Sequence, residues 1–151
     1  MRLSLAFFTT LLIAHSAAGF AACTVYAPSL SFGPYDPLGG TPATTSGNVT
    51  VTCDIAPAPT VTIALGPSAV SGGFSPRKMQ QQGGADLLAY NFFADPGGAS
   101  VWGDGSGGTV VRSARVQKNQ PWNATLYGRI PPGQDVRPGS YADNLTVTIN
   151  F

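Results

Sequence analysis

Apolar and polar residues alternate along several short segments of this chain, and the clearest case is residues 145–151. The apolar positions of this segment are Leu145, Val147, Ile149 and Phe151, and a polar residue separates each from the next. Strict alternation is typical of a β-strand with one buried face, because successive side chains point to opposite sides of a sheet. The segment is therefore predicted to be a strand whose four apolar residues share one face.

Five further segments show strand-like patterns. Residues 48–53, 60–65 and 122–130 alternate, residues 87–93 are apolar nearly throughout, and residues 109–116 are rich in β-branched side chains. Nineteen glycines and thirteen prolines punctuate these segments, and glutamate is absent from the chain. Short strands separated by turn residues, without helix signals, predict an all-β sandwich or barrel.

Two longer segments do not read as regular strands. Residues 71–84 are predicted to form a loop or an edge hairpin, with Arg77 and Lys78 in its middle. Residues 95–108 form a glycine-rich loop around Trp102. Trp102 is a candidate surface contact, because its neighbours cannot build a core; the alternative is that it folds back over an open end of the sheet.

The first 21 residues have the pattern of a secretory signal peptide. Arg2 provides the positive start, an apolar run follows, and small residues precede the expected cleavage site after Ala21. Lipoprotein processing before Cys23 is the competing interpretation. The remaining residues, 22–151, have the length of one domain with a single core.

Cys23 and Cys53 are the two cysteines of the chain. In an exported protein such a pair is expected to form a disulfide. A metal site is disfavoured, because the single histidine, His15, lies in the leader. No cofactor is expected.

The charged residues exclude some partners and give no catalytic group. Without Arg2, seven of the eight basic residues remain against seven acidic ones, with no basic run, so nucleic acid is not an expected partner. Asp95 and Asp104 flank one loop, but calcium requires more oxygen ligands than two isolated carboxylates supply. Ser106 lies in a glycine-rich turn without a histidine to act as base, so a secreted hydrolase is disfavoured and no enzyme activity is expected.

The chain resembles a known family in an ordered set of segments. These are Cys23-Thr24-Val25 and residues 30–37, 47–53, 88–92, 127–134 and 138–151. Together they resemble the spore coat protein U domain family, which includes subunits of archaic, Csu-type chaperone–usher pili. The resemblance spans nearly all of the chain after the leader.

The resemblance implies an incomplete immunoglobulin-like β-sandwich that lacks its final strand. It implies that a periplasmic chaperone first fills the gap and that a neighbouring subunit, added at the outer-membrane usher, then donates a strand. Leu145, Val147, Ile149 and Phe151 would line the groove that accepts this strand. The protein would pass through the periplasm and reach the cell surface as a structural or adhesive subunit of a fimbria.

The position of Cys23 suggests where in a fibre the chain would stand. A donated strand needs roughly ten residues before the first cysteine, given the rise per residue of a strand. Cleavage after Ala21 would leave Ala22 alone, so the chain is expected to accept a strand without donating one and to cap the polymer at its tip or end. The alternative is a stand-alone secreted or spore-coat-type structural protein without a fibre role.

Overall fold

The computed structural model describes residues 22–151, and all regular structure in this range is β-strand. The strands are β1 (Cys23–Tyr26), β2 (Ala43–Cys53), β3 (Thr60–Leu65), β4 (Arg77–Gln81), β5 (Leu87–Phe93), β6 (Arg112–Arg115), β7 (Trp122–Ile130), β8 (Tyr141–Ala142) and β9 (Val147–Asn150). Residues 22–151 contain no helix of the length and apolarity that a membrane crossing requires. The predicted signal peptide, residues 1–21, lies outside the described residues.

The strands form two antiparallel sheets. The larger has the order β1-β2-β7-β5-β4-β8 and the smaller the order β6-β3-β9. Inward-facing residues of both sheets form one buried cluster, so the sheets pack face to face as in a β-sandwich. The all-β prediction is confirmed.

Alternation in the sequence marks which face of each strand is buried. In β7, Ala124, Leu126 and Ile130 are buried, while Asn123 is exposed. The same period of two places Val61, Ile63 and Leu65 of β3 in the core. The final strand is shorter than predicted and spans Val147–Asn150, because residues 143–146 cross from one sheet to the other.

The N-terminal strand is tied to the end of β2. A disulfide joins Cys23 to Cys53, which are opposite each other in the β1–β2 ladder. Beyond β1, residues 27–37 leave the larger sheet and run along its inner face. Leu30 and Phe32 settle there over Gly47 and Gly128, where an added Cβ would collide with them. The two glycines therefore provide the space that this segment occupies.

Trp102 does not form a surface contact. Its side chain is 0% exposed, and its indole Nε1 donates a hydrogen bond of 3.1 Å to the Ile63 carbonyl. Its backbone also pairs with Val110 and bonds to Phe92. Of the two alternatives for Trp102, the exposed contact is wrong: the glycine-rich loop turns back and Trp102 joins the buried core.

Arg77 is a buried residue that the sequence did not reveal. It begins β4, which forms a hairpin with β5, and its side chain is fully enclosed. Its guanidinium donates to the carbonyls of Gly66 (2.8 Å from Nη2) and Trp102 (2.9 Å) and to Asn91 Oδ1 (2.7 Å). Burial lowers the pKa of this guanidinium. The cation thus joins three chain segments at one end of the sandwich.

The first prediction concerns the disulfide. Replacing both cysteines with alanine should lower the free energy of unfolding by about 3–4 kcal/mol, because the bond closes a loop between residues that are 30 apart. Urea denaturation of the wild type and the double variant measures this difference. Non-reducing mass spectrometry of the wild type should show a mass lower by two hydrogen atoms than after reduction. Free thiols in the native protein would contradict the assignment.

The second prediction concerns Arg77. The Arg77→Met variant should lose about 3 kcal/mol or more of stability, because the carbonyl oxygens of Gly66 and Trp102 lose their side-chain donor and Asn91 Oδ1 keeps only the Phe92 N–H. Arg115→Met, on the exposed position of β6, is the matched control and should change stability by less than about 0.5 kcal/mol. Equal unfolding midpoints for the two variants would show that Arg77 does not stabilise the fold.

Candidate functional site

Strand β9 has a partner on one side only. It pairs with β3, with Val147 opposite Leu65 and Ile149 opposite Ile63, and it ends the order of the smaller sheet. Among residues 22–151, no strand pairs with its other side. An unpaired edge presents a row of backbone N–H and C=O groups that can accept another strand.

An open groove separates the residues that lead into β9 from the N-terminal segment that follows β1. Residues 27–37 form one wall and residues 136–147 form the other. Two cavities, of about 480 and 450 Å³, lie between the walls. Both cavities are lined by Leu30, Phe32, Met79 and Tyr141, so they lie side by side, and together they make up the groove.

Aromatic side chains form part of the groove floor. Phe32, Tyr90 and Phe92 contact one another, with ring centroids 5.4–6.0 Å apart. Val49, Leu65 and Leu126 line the larger cavity together with these three rings. The groove therefore opens directly onto the hydrophobic core between the two sheets.

The four predicted groove residues are placed differently from one another. Leu145 and Val147 line the larger cavity. Ile149 is half-buried against the core and lines neither cavity, while Phe151 is 61% exposed. The groove follows residues 136–147 rather than the full length of β9. Leu145 and Val147 therefore line it, whereas Ile149 and Phe151 do not.

The opposite wall and the floor were not identified as groove residues from the sequence. Leu30 and Phe32 show a short alternation, but Gly33 and Pro34 interrupt it before it becomes a clear strand signal. Tyr90 and Phe92 lie in a segment that is apolar nearly throughout, so nothing in its pattern separates groove positions from other core positions.

Long-range hydrogen bonds hold the walls in place beside the smaller cavity. The Gln134 side chain accepts from the Ala89 N–H (2.7 Å) and donates to the Ala89 carbonyl (2.8 Å), as a neighbouring strand would. The Tyr35 hydroxyl donates to the Pro131 carbonyl and accepts from the Gln134 N–H. These bonds tie residues 131–134 both to β5 and to the N-terminal segment.

One polar pair lies in the larger cavity. The Tyr90 hydroxyl donates a hydrogen bond of 2.9 Å to Asp143 Oδ2, although Tyr90 is only 3% exposed. Burial and the neighbouring Asp143 raise the pKa of this phenol above its ordinary value. Tyr90 therefore stays protonated and continues to donate to the carboxylate at physiological pH.

The candidate metal-binding and catalytic residues of the glycine-rich loop form hydrogen bonds within their own turns. Asp104 Oδ1 accepts from the backbone and hydroxyl of Ser106, which lowers the pKa of this carboxyl group. Asp95 accepts from the backbone of Ala99 and Ser100, and its pKa is lowered in the same way. In the part of the chain that the structure describes, no three histidine, cysteine or acidic side chains form a group that could hold a metal ion.

Solved structures share the fold of this chain. A chain in the CsuC–CsuE chaperone–tip adhesion subunit complex of Acinetobacter baumannii gives a TM-score of 0.62 at 20% identity, and the match covers 87% of this chain and 40% of that one. A chain of a chaperone–usher pilus gives 0.59 at 16% identity, with 99% of both chains covered. The P pilus rod subunit PapA gives 0.56 at 18% identity, with 85% of this chain and 97% of PapA covered. The fold is therefore that of chaperone–usher pilins, as the resemblance implied.

Sequence comparison identifies the family. Protein U of Myxococcus xanthus is 30% identical over 131 residues, which are 82% of this chain and 72% of that protein. The model of the Spore Coat Protein U domain family matches residues 9–148. The chain belongs to the Spore Coat Protein U domain family.

Proposed function

We propose that this protein is a subunit of a chaperone–usher surface fibre and that its groove accepts a β-strand from a partner. The observation that carries the proposal is the free edge of β9 beside a groove whose apolar floor opens onto the core. A strand laid in the groove would pair with β9 and cover the aromatic floor in one step. This mode of binding is β-strand addition.

Two partners would occupy the same groove, one after the other. An exposed apolar groove beside an unpaired edge promotes aggregation, so a periplasmic chaperone would fill it until the subunit reaches the outer-membrane usher. A neighbouring subunit would then replace the chaperone. Likeness to a chain in a chaperone–subunit complex and to a chaperone–usher pilus chain supports both kinds of partner. The protein would then reside in a cell-surface fimbria.

We further propose that the subunit caps its fibre. Cleavage after Ala21 would leave Ala22 alone before Cys23, and the disulfide fixes Cys23 to β2. Two hydrogen bonds also hold Ala22 to Asp54. The Ala22 N–H donates to Asp54 Oδ1, and the Ala22 carbonyl accepts from the Asp54 N–H. No free extension would then remain to fill a neighbour's groove.

A stand-alone structural protein of a spore coat or secreted layer is the second candidate. The description of the family and the relationship to Protein U support it. Neither candidate is an enzyme, in keeping with the turn-forming roles of Asp95, Asp104 and Ser106. Co-expression with a cognate periplasmic chaperone separates the two candidates, because the fibre subunit should co-purify with it and the coat protein should not.

A charge in the groove should abolish strand capture. Val147→Asp replaces an apolar groove residue with a carboxylate, and covering this charge should cost several kcal/mol unless it is neutralised. We expect the variant to lose chaperone co-purification and to be degraded or aggregate. Thr148→Asp, on the exposed face of the same strand, is the matched control and should co-purify normally. Normal chaperone binding by Val147→Asp would overturn the assignment of Val147 to the groove.

Polymerisation assays test the capping role. Mixed with subunits that carry N-terminal extensions, the purified protein should form pairs and stop further growth. By itself it should remain unpolymerised, and sequencing of its mature N-terminus should begin at Ala22. Homopolymers linked through an N-terminal strand would contradict the capping role and leave strand acceptance intact.

A further inference from the structure

Two charged residues line the groove: Arg137, which is exposed, lines the smaller cavity, and the larger cavity contains one carboxylate that an entirely apolar strand would leave poorly solvated. Asp143 is the carboxylate among the residues that line the larger cavity. It lies where the chain crosses from β8 to β9, and its side chain is half-buried. Its environment therefore bears directly on which strands the groove can accept.

Asp143 has few hydrogen-bond partners in the groove. Oδ2 accepts from the Tyr90 hydroxyl, and Oδ1 accepts from the Asn144 N–H, each at 2.9 Å. An ionised carboxylate offers about four acceptor sites, so it can accept further bonds. The guanidinium of Arg77 attracts this carboxylate only through space, because its hydrogen bonds go to Gly66, Asn91 and Trp102.

Covering the groove would remove water from this carboxylate. An apolar side chain placed against it would give no bond in return, and an acidic one would repel it. A side chain that donates a hydrogen bond would restore the lost solvation with a charge-assisted bond, which is stronger than a neutral one. The polar pair thus selects among strands that are otherwise equally apolar.

We propose that the strand accepted by this groove carries one hydrogen-bond-donating side chain, opposite Asp143, in an inward row that is otherwise apolar. The inference depends on the proposed strand-accepting function and specifies the chemistry of the partner. Asp143 and Tyr90 then determine the specificity and register of the strand, while the aromatic floor and Val147 provide apolar contact.

A peptide series tests this specificity. The host is an eleven-residue peptide with valine at every inward position and threonine or serine at the outward positions. In each derivative, one inward valine is replaced by lysine, threonine or aspartate. The chaperone-bound subunit is mixed with each fluorescent peptide, and the extent of chaperone displacement at equilibrium gives the relative affinities.

Lysine or threonine at one particular inward position should bind about tenfold more tightly than valine there, and aspartate should bind more weakly. The preference should disappear in Asp143→Ala. Asp135→Ala is the matched control, because Asp135 is exposed and lines neither cavity, and it should keep the preference.

The outcomes separate the two proposals. If no peptide of the series displaces the chaperone from the wild type, the strand-accepting function itself is contradicted. If the peptides bind but valine is equal to or better than lysine and threonine at every inward position, the function stands and the role of Asp143 is wrong. The comparison within the wild type decides this even if Asp143→Ala does not fold.

Discussion

The architecture of this protein depends on the fact that β9 has a partner strand on one side only. The smaller sheet has three strands and faces a sheet of six, so it leaves part of the inner face of the larger sheet uncovered. Residues 143–146 cross between the sheets beside this opening. The result is a groove whose floor belongs to the hydrophobic core, and one of its walls leads at Val147 into the unpaired edge of β9.

The walls are anchored on both sides, which explains how such a groove can stay open. At the N-terminal wall, the disulfide fixes β1, while Leu30 and Phe32 are seated over Gly47 and Gly128. Just before the other wall begins, the Gln134 side chain bonds to Ala89 of β5. If the proposed strand binds, a groove already held in this geometry would lose less conformational freedom, so more of the gain from apolar burial would appear as affinity.

Much of the sandwich could be predicted from the sequence, because period-two alternation reports directly on burial in a half-buried strand. This holds for β2, β3 and β7, and for the part of the last segment that contains Leu145 and Val147. The burial of Trp102 and Arg77 could not be predicted in this way, since a glycine-rich loop and a basic residue are both typical of a surface. Their positions depend on acceptors such as Ile63 and Gly66, which are distant in the sequence.

The groove residues that the resemblance implies all lie between Leu145 and Phe151, so they concern one wall only. In the groove's second wall, only residues 30–32 alternate before Gly33 and Pro34 interrupt the pattern. Three residues are too few to identify a strand. Its polar pair joins Tyr90 to Asp143, which are 53 residues apart. No local pattern encodes such a contact, so the chemistry of the groove became visible only in the folded chain.

Hydrogen exchange provides the most direct test of the central claim that an incoming strand pairs with β9. Amide exchange is measured in the subunit alone and in complex with its periplasmic chaperone. We expect added protection to be concentrated in the groove walls, residues 27–37 and 136–147, and at the free edge of β9, while β6 at the opposite edge of the smaller sheet exchanges as before. Protection at β6 or β1 without any change in residues 141–150 would contradict the claim, because the partner would then bind a different edge of the sandwich.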